Sequence, residues 1–269
     1  MVSRLIRAGI LLCGLPLYGS TLYLTGSSKE FGTLDTTTGV FTPINTVQTS
    51  LIFGMGFTSG GTLYGTGSNI PATVYQINQA NGNLTSVGTA GSSATGSTVR
   101  SANGLIYTVS QDSNSKFYSF DPTTLTSTPI SAGLGFQSDG LAVFDSGQFY
   151  TDRFVSSGHD ALERVDPSTG IATAVGTGLG FSIYAGALSG TTLYAVGPGG
   201  GTPALYTIDT TTGVATKVSN ITGMARGAAP YSLAFDNGPA NTSTPEPSTV
   251  SLAALSLAAG LVVFRRRRA

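Results

Sequence analysis

A single histidine stands in this chain of 269 residues, and it stands among charges. The stretch Thr151-Asp-Arg-Phe-Val-Ser-Ser-Gly-His-Asp160 carries Asp152, Arg153, His159 and Asp160, and Asp139 lies shortly upstream. An imidazole titrates near neutrality, a guanidinium forks onto oxygen pairs, and carboxylates accept from hydroxyls or orient the imidazole. These five residues are therefore the candidate binding set. As catalytic groups they are incomplete. Cleaving a glycosidic bond takes two carboxylates flanking it, and of the segments expected to meet at a common mouth only the one opened by Asp139 begins with an acid. Nucleophile-elbow, phosphate-loop and zinc-protease patterns are missing from the sequence. The expectation is a non-enzymatic protein without cofactor or metal. A polysaccharide hydrolase or lyase using Asp139 and this stretch is the alternative.

What positions these residues is a repeat. Leu205–Val218 (LYTIDTTTGVATKV) has relatives at Phe31–Val40, Val74–Leu84, Phe117–Leu125 and Leu162–Ile171. Their turn-opening residues Asp35, Asn78, Asp121, Asp166 and Asp209 are spaced by 43, 43, 45 and 43 residues, the period of a copied supersecondary unit. Each copy reads strand, turn, strand. A pair such as Leu63-Tyr64 or Leu193-Tyr194 lies upstream of each copy, and before it a Gly-containing turn and a small apolar segment. One period thus predicts four short strands, with Gly- and Ala-rich inner strands suited to a crowded axis. The architecture is an all-β propeller.

The ends of the body predict how the ring closes. The first period begins at Thr21 with a second strand and has no inner strand. The last ends with Tyr231–Phe235, an inner strand followed by a turn and nothing further. Shared between them, these orphans make one composite blade, five blades in all, and hide two sheet edges that would otherwise be unpaired. A β-sandwich would give no reason for the period, and a sixth blade has no segment to supply it. In such a ring the stretch 151–160 is expected as the longest loop on the face where ligands meet the channel.

Thirty-seven glycines and 10% charged residues fit a turn-rich β protein. The formal net charge of zero hides an asymmetry: without Arg4, Arg7, Arg265–Arg268 and Glu246, seven basic residues face twelve acidic ones. A mildly acidic body lacks the basic patch that nucleic-acid binding needs. The only cysteine, Cys13, lies in an N-terminal segment with two arginines and the apolar run Ala8–Leu17, which predicts a signal peptide over residues 1–20. The mature body, residues 21–239, would then have no thiol. The Asp-Thr-Thr-Thr-Gly turns offer one carboxylate each, too few for calcium, and read as backbone-capping turns.

Residues 240–248 form a polar linker containing Pro245-Glu246-Pro247. An uncharged run, Thr249–Phe264, and the cluster Arg265, Arg266, Arg267 and Arg268 follow. The run predicts a short transmembrane helix within 249–269, with the arginines in the cytoplasm. In that order, at the extreme C-terminus, the three parts resemble the PEP-CTERM sorting signal of Gram-negative bacteria. The resemblance implies export, retention in the inner membrane, and processing near Pro245–Pro247 by an exosortase. It also implies release or attachment at the cell surface, in company with exopolysaccharide or envelope proteins. It implies nothing about what the body binds.

Overall fold

Short strands separated by turns fill the chain in the order the repeat predicts. The computed structural model describes residues 21–236 except 59, 91–95, 100–102, 139–141, 146–147, 157–158, 167 and 190–191. The strands are β1 (Thr21–Gly26), β2 (Phe31–Leu34), β3 (Phe41–Asn45), β4 (Ile52–Phe57), β5 (Leu63–Gly67), β6 (Thr73–Ile77) and β7 (Leu84–Thr89). They continue as β8 (Gly96–Val99), β9 (Ile106–Val109), β10 (Phe117–Asp121), β11 (Thr126–Pro129), β12 (Ala142–Asp145), β13 (Gln148–Ser156) and β14 (His159–Val165). The last are β15 (Ala172–Val175), β16 (Ala185–Ser189), β17 (Thr192–Pro198), β18 (Pro203–Ile208), β19 (Ala215–Asn220) and β20 (Pro230–Asp236).

They form five four-stranded antiparallel sheets, ordered β20-β1-β2-β3, β4 to β7, β8 to β11, β12 to β15 and β16 to β19. The inner strands meet in a cycle: β20 on β4, β4 on β8, β8 on β12, β12 on β16 and β16 on β20. The expected five-bladed propeller is therefore the observed fold. Its closure is the expected one too. Strand β1 pairs with β20 from Thr21↔Asp236 through Leu22↔Phe235 and Leu24↔Leu233 to Thr25↔Ser232. Each terminal segment supplies the hydrogen-bonding edge the other lacks.

The core lies between sheets. Alternate residues of a strand face opposite sides, so a sheet covered on both sides must be apolar at consecutive positions. In β1, Leu22 and Leu24 join Ala185, Val196 and Leu205 in the seam with the fifth blade. Tyr23 between them joins Ile52, Met55 and Leu63 in the seam with the second. Three further clusters fill the remaining seams: Val74 with Ile106 and Phe120, Phe117 with Phe149, and Leu162 with Leu193.

The repeated turn caps the outer hairpin of each blade. Asp35 Oδ1 accepts from the backbone N–H of Thr37 and Thr38, both at 2.8 Å, and the Gly39 N–H returns to the Asp35 carbonyl at 2.9 Å. Asp209 and Asp166 repeat the pattern, and Asn78 takes the same place in the second blade. Glycine is required after the turn for two reasons: φ is +71° at Gly213, and a Cβ there would lie 2.4 Å from the Val175 carbonyl oxygen of the preceding blade. The third blade breaks the rule with Leu125 at φ 58°. Its neighbour compensates: Gly88 in β7 leaves open the space into which the Leu125 side chain reaches, so that a Cβ on Gly88 would lie 3.3 Å from Leu125 Cδ2.

One expectation is corrected. The stretch 151–160 is not a long loop. Strands β13 and β14 run through it, paired from Phe149↔Val165 to Ser156↔His159, which leaves two residues between them. The polar composition masked a strand because Thr151, Asp152 and Asp160 are buried and hydrogen-bonded, and a satisfied polar group can occupy a core position. The expected signal peptide, linker and transmembrane helix lie outside the described residues. Among the described residues no helix is long and apolar enough to cross a membrane.

The turns lead to three testable outcomes. Hydrogen bonds from Thr37 and Thr38, Thr123, Ser168, and Thr211 and Thr212 hold the Asp35, Asp121, Asp166 and Asp209 carboxyls below their ordinary range. A carboxyl depressed in the folded state contributes stability above its unfolded value, about 3.9, and loses it as pH falls below that. Replacing all four by Asn, as at Asn78, should flatten the acid limb of a stability-versus-pH curve below about pH 4. In urea titrations, Leu125→Gly should raise the midpoint by removing a left-handed penalty of about 1 kcal/mol. Gly213→Ala should lower it by about 1–2 kcal/mol or more.

Candidate functional site

A propeller has two unlike faces. Inner strands here begin on one and end on the other, and the hairpin β13–β14 and the connection from β15 to β16 project from the face where they begin. Between these two segments lies a groove of about 600 Å³ lined by Arg153, Val155, Ser156, His159, Asp160 and Gly178 among others. Three of the five candidate residues therefore share one cleft. The repeat alone did not require this, because the connection that forms the other wall contains none of them.

Their side chains differ in role. His159 is exposed at the hairpin end. Asp160, 1% exposed, accepts the Ile183 backbone N–H on Oδ2 at 2.7 Å. Its own backbone N–H donates to the Phe181 carbonyl and its carbonyl accepts from Leu179 N–H. Asp160 thus straps the 176–184 connection onto β14. Asp152 is fully buried behind the groove, where Ser138 Oγ donates to its Oδ1 at 2.9 Å and also meets Thr151 Oγ1 at 2.9 Å. Arg153 places Nε 3.0 Å from Glu163 Oε1 and stacks its guanidinium 5.9 Å from the Phe136 ring centre. Burial pushes the Glu163 carboxyl up, and the Arg153 charge draws it partly back. Asp139 lies outside the described residues, as do Pro245, Glu246, Pro247 and Arg265–Arg268 of the tail. Among the described residues no group of three or more His, Cys, Asp or Glu is placed to hold a metal ion.

A second concavity, of about 450 Å³, opens where the inner strands begin, at the mouth of the central channel. Phe53, Gln111, Ser182, Tyr184, Pro230 and Tyr231 line it. Phe53 and Tyr231 stack with ring centres 4.8 Å apart and planes 27° apart, and Tyr184 is 38% exposed. Reasoning from charged residues missed this place. The signal was an aromatic residue recurring at the start of three inner strands, Phe53, Tyr184 and Tyr231.

Fold and termini together define a closed five-bladed propeller carried on a C-terminal sorting tail. Residues 243–268 match the PEP-CTERM protein-sorting motif. That motif makes the chain an exported precursor, held at the membrane and sorted to the surface through processing by an exosortase. No curated protein matches the chain. Among solved structures, a chain of the crystal structure of the nidogen/laminin complex superposes with a TM-score of 0.54 at 11% identity, covering 81% of this chain and 98% of that one. The crystal structure of TolB from Acinetobacter baumannii gives 0.49 at 13% identity, covering 75% of this chain and 52% of that one, so the match spans about half of TolB. At 11% identity the likeness to the nidogen/laminin chain is one of fold alone.

Two substitutions separate the strap from the exposed ring. Asp160→Ala leaves the buried Ile183 N–H without its acceptor and should cost about 1–3 kcal/mol in urea unfolding. His159→Ala should stay within about 0.5 kcal/mol of the parent.

Proposed function

We propose that the propeller is a non-enzymatic interaction module of the cell surface or extracellular matrix, delivered there by its tail and associated with exopolysaccharide. The observation that carries this reading is the sorting motif at residues 243–268, carried on the same chain as a closed propeller. The intramolecular bonds of the candidate groups support it: Asp152 accepts from Ser138, Asp160 from Ile183, and Arg153 pairs with Glu163. Bonds of this kind hold the walls of the groove in one arrangement. In this reading residues 249–269 span the inner membrane until the exosortase cuts near Pro245–Pro247, and exopolysaccharide or an envelope protein is the partner of the released body.

One observation favours a second reading. The exposed His159 lines a groove of about 600 Å³ beside Asp160, and a carbohydrate-active enzyme could use that groove with Asp139. Hydrolytic or lyase activity on polysaccharide that disappears in both His159→Ala and Asp139→Asn would establish this reading instead.

The test of the first reading is fractionation with a binding assay. Full-length chain should sediment with membranes and then appear with the extracellular matrix, whereas a chain ending at Thr244 should pass to the periplasm or medium. Processed protein should be retained on the producing strain's extracellular polysaccharide. Identical fractionation of the two forms, or no retention on polysaccharide or envelope material, refutes it.

A further inference from the structure

The channel mouth has the composition of a ligand site, and among the described residues its lining carries no charged side chain. Four blades contribute to it: Phe53 is the second residue of β4, Gln111 follows β9, Tyr184 precedes β16, and Tyr231 is the second residue of the closing strand β20. The stacked pair Phe53–Tyr231 and the exposed Tyr184 present flat apolar surface. The Tyr184 and Tyr231 hydroxyls and the exposed Gln111 amide make no hydrogen bond to the described residues. The mouth therefore offers ring faces together with neutral donors and acceptors that await a partner. At about 450 Å³ it falls within the range of small-ligand pockets.

We propose that this mouth binds a neutral glycan, with a pyranose unit stacked on Tyr184 and the Phe53–Tyr231 pair and its hydroxyls bonded to Gln111 and the tyrosine hydroxyls. A pyranose carries a face of C–H groups and a rim of hydroxyls. The C–H groups meet the negative face of an aromatic ring favourably, and the rim matches the free polar groups. A uronate or phosphate would find no cation among the described lining residues, and the acidic balance of the body would repel a polyanion. Strand β20 enters at the mouth with Pro230 and reaches Asp236, paired with Thr21, at the other end. From Pro230 to Asp236 the strand rises by about 3.3 Å per residue, which sets its far end about 20 Å from the mouth. This proposal rests on the interaction-module reading and names its ligand class.

The experiment is calorimetric titration of the full chain in detergent with cellohexaose, laminarihexaose and mannohexaose, and with an alginate hexamer as the acidic control. At least one neutral hexamer should bind and the alginate hexamer should not. Tyr184→Ala should weaken binding at least about tenfold, the change that follows from losing a ring contact of about 1.4 kcal/mol. Tyr231→Phe, which keeps the stack and loses one hydroxyl, should weaken binding less than Tyr184→Ala does. Because Tyr184 is exposed, its variant should keep the parent urea midpoint, which separates a lost contact from a lost fold. Equal binding by Tyr184→Ala, or preference for alginate, overturns the proposal. If no neutral hexamer binds, the mouth assignment fails by itself; retention on the strain's own polysaccharide then judges the interaction-module reading separately. A proline-rich peptide that binds at the mouth in place of every hexamer would also overturn it.

Discussion

The backbone pairing of β1 with β20 is the constraint on which the rest of this protein depends. A propeller sheet is stable only when both faces are covered by neighbouring sheets, and in an open array the first and last blades would each expose one. Pairing Thr21–Thr25 with Ser232–Asp236 removes the two free strand edges and at the same time draws the fifth seam together. Leu22, Leu24, Leu233 and Phe235 belong to that seam with Ala185, Val196 and Leu205. The pairing also sets Tyr231 beside Phe53, so the channel mouth exists only in the closed ring.

With the ring closed, the two faces divide the labour. The turn face is built from repeated chemistry. A side-chain oxygen caps the turn, a left-handed residue follows, and that residue presses on the preceding blade. Gly39 sits against Asn220, Gly82 against Asn45, Gly170 against Ser131 and Gly213 against Val175. Close approach at every seam explains why the motif recurs, and why Leu125 could enter only where Gly88 left room. The opposite face carries the irregular segments. There the chain varies in length, the hairpin β13–β14 extends, and Ser138 and the Ile183 N–H hold the buried carboxylates Asp152 and Asp160.

This division explains how much of the molecule was legible beforehand. The period, the five blades and the composite closure could be read because they follow from local turn chemistry copied along the chain and from which strand each terminus lacked. The region 151–160 was misread as a loop because its residues are polar, and polarity marks a loop only when those groups face water. Asp152 and Asp160 do not: Ser138 and Ile183, which satisfy them, come from 14 and 23 residues away. Their burial could not be inferred from their neighbours in sequence. The candidate groove was found in part, through Arg153, His159 and Asp160. The aromatic mouth was overlooked because a search for acids discounted the residues Phe53, Tyr184 and Tyr231.

The linear chain by itself determined the repeat, the strand-and-turn pattern and the sorting tail, since each depends on contacts or recognition within a few dozen residues. Only the tertiary structure decided which polar groups are buried, which wall faces His159, and that Phe53 stacks on Tyr231. Those facts join residues as much as 178 positions apart, brought together by the curvature of five sheets around one axis, and no local preference encodes that curvature.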